Sequence, residues 1–120
     1  LSDYTTYLFK GNGKVKKMRN IDLIFSNAES LWSTNKNSSM NEFKKVIKTD
    51  SLSEVSAAAA YFLGYQYDYT FVNLDSALKY YEWLDNTHPR SDQNNFAKSR
   101  ARLIKKLVQS TKNDSTSTVN

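Results

Sequence analysis

Apolar residues recur at helical spacing from residue 20 onward. Ile21, Ile24, Phe25, Ala28, Leu31 and Trp32 share one face of a helix. Ser33 to Ser39 is polar and ends it. Ser39-Met40-Asn41-Glu42 has the Ser-x-x-Glu capping-box pattern and predicts a second helix through Phe43, Val46 and Ile47 to Thr49-Asp50. Ser51-Leu52-Ser53-Glu54 repeats that pattern. The third helix it predicts is the most apolar: Val55, Ala57 to Ala60, Phe62, Leu63 and Gly64. Asp68 to Val72 reads as a loop. Leu74, Ala77, Leu78, Tyr81 and Leu84 mark a fourth helix, ended by His88-Pro89. Ser91 then caps a fifth, with Phe96, Ala97, Ala101, Leu103, Ile104, Leu107 and Val108 on its core stripe.

The ends are less regular. Tyr7, Phe9 and Val15 around Gly11-Asn12-Gly13 fit a glycine-turn hairpin, and Lys14 to Arg19 fit a basic, loosely ordered lead-in equally well. From Ser110 the composition is Ser, Thr, Asn and Asp, which predicts a disordered tail. The organisation is therefore a lead-in over 1–19, a helical domain over 20–109 and a polar tail over 110–120. The expected fold is all-α, an antiparallel array of about five helices joined by short loops.

Composition narrows the chemistry. A chain of 120 residues suits one domain with a modest core. It has no Cys and one His, His88. That removes disulfides, thiol nucleophiles, Cys-based metal sites and any multi-histidine metal site. No apolar run nears the roughly 20 residues of a membrane span. The start at Leu1-Ser2-Asp3, without Met or leader pattern, reads as a processed chain or a piece of something longer. Net charge is +5 over residues 1–49, −5 over 50–92 and +5 over 93–120. An acidic, aromatic middle between basic flanks interrupts any continuous nucleic-acid stripe along the sequence.

The third and fourth helices resemble one unit of the tetratricopeptide repeat family. The resemblance rests on Ala60, Leu63, Gly64 and Tyr67, then Ala77, Tyr81, Leu84 and Pro89. Two departures stand out: the loop within 68–75 is one residue longer than the family pattern, and Leu84 replaces a commoner small residue. A degenerate unit precedes it, where Ala28-x-x-Leu31-Trp32 echoes Ala60-x-x-Leu63-Gly64, and Ala97-x-x-Arg100-Ala101 begins a half-unit after it. The phrase from Ser53 to Tyr67 is similar to tetratricopeptide proteins of the bacterial cell envelope. The resemblance implies a right-handed helical-hairpin solenoid and a non-catalytic protein–protein interaction module of a multi-component assembly. It also implies a periplasmic or outer-membrane-associated place, with membrane association only through a complex.

Nine of the sixteen aromatic residues lie between Tyr61 and Trp83. Phe62, Tyr67, Tyr81 and Tyr61 fit core wedges, whereas Tyr65 and Tyr69 fall off the core stripe. By the family's logic a concave groove would present Ser56, Ala59, Tyr65, Gln66 and Tyr69 to a peptide or helix. The acidic middle points to Lys or Arg in that partner. Asp75, Glu82, Asp85 and Asp92 read as a solvated face and His88 as a helix-ending residue. No catalytic, metal or cofactor set emerges. The alternative is a basic nucleic-acid-binding helical domain using Lys98, Arg102, Lys105 and Lys106 of the last helix with the N-terminal lysines.

Overall fold

Helix ends in this chain are fixed by side chains that accept otherwise unpaired backbone N–H groups. In the computed structural model, which describes the backbone of residues 4–8 and 15–117 and side chains over 18–111, five helices and two strands follow in order. Strands β1 (Tyr4–Leu8) and β2 (Val15–Arg19) pair antiparallel with Tyr4 opposite Arg19 and Leu8 opposite Val15. Gly11-Asn12-Gly13, the expected turn, lies outside the described residues. Helices α1 (Asn20–Leu31), α2 (Lys36–Thr49), α3 (Glu54–Tyr69), α4 (Leu74–Thr87) and α5 (Asp92–Ser117) make the rest. The helical part is an all-α hairpin array.

The cap assignments need correction. α2 starts three residues before Ser39, at Lys36, because Asn35 Oδ1 accepts from the Ser38 N–H at 3.0 Å. Ser39 is buried, and its hydroxyl donates to the Ala28 carbonyl of the neighbouring helix. At α3 the residue before the helix is Ser53, not Ser51; Ser53 Oγ accepts from the Val55 N–H at 3.1 Å. Asn73 caps α4 by accepting from Ser76 N–H at 3.1 Å. Ser91 precedes α5, but its hydroxyl donates to the His88 carbonyl at 2.8 Å. α5 also runs through Ser110 to Ser117, where an irregular tail was expected. No Gly or Pro interrupts the chain after Pro89, and Thr111 Oγ1 donates to the Leu107 carbonyl, one turn back.

The chain divides into two compact units, 1–59 and 60–120, with the division inside α3. In the first, Phe43, Val46, Met40, Ala28 and Ile21 are buried, and Phe25 meets Phe43 edge-on with centroids 5.3 Å apart. Two buried serines tie its backbone: Ser39 to Ala28, and Ser56 to the carbonyls of Val46 and Asp50. Arg19 joins Asp22 at 2.8 Å and Glu54 at 2.6 Å. The Arg19 guanidinium holds the Glu54 carboxyl below its ordinary pKa.

In the second unit Ala60, Leu63, Ala77, Tyr81, Leu84, Ala97, Ala101 and Ile104 are buried. α4 packs against both α3 and α5. Gly64 sits against the Tyr81 ring: a Cβ there would come within 2.7 Å of Tyr81 Cε1. The close crossing expected at Gly64 is therefore made with the Tyr81 ring of α4.

Candidate interaction face

α3 presents Tyr61, Tyr65 and Tyr69 at four-residue intervals, so the three rings line one edge of the helix. Tyr65 and Tyr69 are 4.6 Å apart between centroids, and Tyr61 and Tyr65 are 6.1 Å apart. Phe96 of α5 sits beside them, 5.8 Å from Tyr61 and 6.2 Å from Tyr65, with its other side edge-on to buried Tyr81. Tyr65 (39%), Tyr69 (49%) and Phe96 (37%) remain exposed. The rings pack on one another while each side chain keeps contact with solvent.

Beneath this face lies a polar junction joining three helices. Asp68 is buried near the end of α3. Arg100 of α5 grips it through two bonds, Nε to Oδ2 at 2.6 Å and Nη2 to Oδ1 at 2.8 Å. The Tyr81 hydroxyl of α4 donates to Asp68 Oδ2 at 3.0 Å. Burial first, and then the neighbouring Asp68 charge, push the Tyr81 phenol pKa far above its ordinary value. The Arg100 guanidinium also lies 5.3 Å over the Tyr69 ring. The sequence pattern puts Asp68 in a loop and marks no role for Arg100, because their separation of 32 residues hides the pair.

An open cleft of about 710 Å³ lies at the α3–α4 turn, lined by Phe71, Val72, Leu74, Leu107 and Val108 with Asn73, Asp75 and Thr111. Val72 has φ of 52°, a left-handed conformation that is costly for a β-branched side chain.

Among the residues expected to bind a partner, Tyr65 and Tyr69 stand together and open. Gln66 is turned to the helix end, where its Oε1 accepts from Thr70 Oγ1 at 2.5 Å. Ser56 and Ala59 are fully buried in the first unit. They cannot line an open groove, because the Ser56 hydroxyl is used by the carbonyls of Val46 and Asp50 and Ala59 has no exposed surface. Phe96, Leu103 and Leu107, assigned to the core stripe of α5, are instead 37%, 46% and 45% exposed; the alanines beside them fill the core. Tyr67 is half-buried and stacks on Tyr80 at 5.9 Å, and Pro89 is exposed after α4.

The charged candidates are scattered. Glu82 pairs with Lys105 at 2.8 Å, and Asp85 accepts from Asn94 Nδ2 at 2.9 Å. Asp75 and Asp92 lie in the first turns of α4 and α5. His88 caps the end of α4, its ring 5.3 Å from Trp83. Lys98, Arg102 and Lys106 are exposed along α5. Among the described residues no group of three metal-ligating side chains occurs, and no helix is long and apolar enough to cross a membrane. No family model, curated protein or solved structure matches the chain.

Proposed function

We propose that this chain is a non-catalytic interaction module, tetratricopeptide-like in its second unit, that holds a peptide or helix of a protein partner on the Tyr65–Tyr69–Phe96 face. The observation that carries the reading is the clustering of exposed rings. Of the large apolar side chains exposed among the described residues, only Leu52 belongs to the first unit; Tyr65, Tyr69, Phe71, Val72, Phe96, Leu103 and Leu107 belong to the second. Rigid aromatic side chains with few rotors are effective binding anchors. Asp75 and Asp92 favour a partner with Lys or Arg. A place in a bacterial envelope assembly rests on the family resemblance alone.

The test is affinity capture from native extract with nuclease and a salt series, comparing the native chain with Tyr65→Ala/Tyr69→Ala. A defined protein set that survives nuclease and is lost in the variant, at unchanged helicity, supports the reading. The nucleic-acid alternative draws on Lys98, Arg102 and Lys106, exposed along one helix. It requires recovered nucleic acid, a steep salt response and indifference to the tyrosine changes.

A further inference from the structure

The outward side of α5 carries two parallel rows. Phe96, Arg100, Leu103 and Leu107 follow at intervals of four, three and four residues, the spacing that lets two helices mesh along a seam. The buried edge of the same helix, Ala97, Ala101 and Ile104, lies roughly a quarter-turn away. Beside the first row runs a second at seven-residue spacing: Asp92, Ser99 and Lys106, all exposed.

We infer that α5 is the seam of an antiparallel homodimer, in which the partner seated on this row is a second copy of α5. The charges choose both the occupant and its direction. Asp92 and Lys106 each lie seven residues from Ser99. A two-fold axis at Ser99 therefore sets Asp92 of each copy against Lys106 of the other, so the contact forms twice. The same axis brings Phe96 to within about one residue, 1.5 Å along the helix, of the level of Leu103 in the second copy. A parallel pairing would instead set Asp92 on Asp92 and Lys106 on Lys106, two repulsions. Ser99 is small and permits close approach at the axis. Arg100, the one charged member of the apolar row, is already bonded to Asp68 and brings no unpaired charge to the seam. The overlap of the two helices, residues 92–106, is fifteen residues, about 22 Å of helix, which sets the interface at the small end of specific ones. Association is therefore concentration-dependent.

The seam shares Phe96 and Asp92 with the proposed partner face but does not rest on that reading, and Tyr65 and Tyr69 of α3 belong to the partner face alone. Sedimentation equilibrium of the purified chain, over a series reaching millimolar concentration, tests it. A monomer–dimer equilibrium is expected. Leu103→Glu should abolish the dimer with helicity unchanged. Asp92→Lys and Lys106→Asp alone should each weaken dimerisation about tenfold, and together restore it to within about threefold of the native chain. The charge variants change only exposed positions, so they remain informative if Leu103→Glu fails to fold. Tyr65→Ala/Tyr69→Ala should leave the dimer intact. A monomer at every concentration overturns the proposal, as does a dimer indifferent to Leu103→Glu and to both charge reversals.

Discussion

Both units bury large side chains, yet among the described residues only the second leaves a cluster of large apolar ones outside. In the first, Phe43 and Met40 are buried beside small residues such as Ala28 and Ser39, and Phe25 packs edge-on against Phe43. Its serine hydroxyls bind nearby carbonyls, and among its described residues only Leu52 leaves a large apolar side chain exposed. In the second, small residues occupy the helix crossings: Ala60, Gly64, Ala77, Ala97 and Ala101. Gly64 lets the Tyr81 ring close against α3, and the alanine edge of α5 leaves Phe96, Leu103 and Leu107 outside. The echoed phrases make the contrast concrete. Trp32 stands where the second unit has Gly64; it is half-buried with Lys36 Nζ 4.5 Å from its ring, whereas Gly64 lies under Tyr81. Turning the alanine edge of a helix inward is also a means of making an exposed sticky surface.

That contrast can be broken most forcefully at Gly64. Gly64→Leu should destabilise the second unit by about 3 kcal/mol, since its Cβ alone would come within 2.7 Å of the buried Tyr81 ring. Trp32 and Trp83 fall in different units, so Trp32→Phe and Trp83→Phe backgrounds read each unfolding transition by fluorescence. An equal loss in both transitions would erase the distinction drawn here. Next in size is Arg100→Ala, which strands the buried Asp68 carboxylate. A cost of about 2–3 kcal/mol is expected, below the range for a fully buried pair because Arg100 retains some solvent contact.

Alkali sharpens the comparison further. The raised Tyr81 pKa means that folding favours its neutral form. The stability this confers is complete below the ordinary phenol value near 10 and is lost as pH climbs beyond it. Denaturant midpoints taken across that range should fall more steeply in the Trp83-reported transition, and Tyr81→Phe should remove the excess slope. The smallest effect is at Val72, where Val72→Gly should stabilise by about 1 kcal/mol through release of the left-handed backbone. Thermal melts with and without the change measure it.

Periodicity alone gives α1 and α4 close to their observed limits, because single apolar faces and the His88-Pro89 break leave little freedom. Caps are less readable. Ser-x-x-Glu occurs twice within sixteen residues, yet Ser39 spends its hydroxyl on Ala28 and the cap falls to Asn35, a choice made by tertiary packing. At the surface, the off-stripe spacing of Tyr65 and Tyr69 correctly gives their exposure. Ser56 and Ala59 defeat the same reasoning because α3 buries more than one side. Phe96, Leu103 and Leu107 look like core by hydrophobicity, and only the alanines beside them reveal which edge packs. Asp68, Tyr81 and Arg100 meet through three helices, so no local pattern announces them.

The Tyr81 hydroxyl carries one more consequence, a kinetic one. Its proton is buried and held by Asp68 at 3.0 Å. It can trade with solvent only when α3, α4 and α5 part. The lifetime of that single proton, followed by magnetisation exchange with water, is therefore a clock for how often the second unit opens.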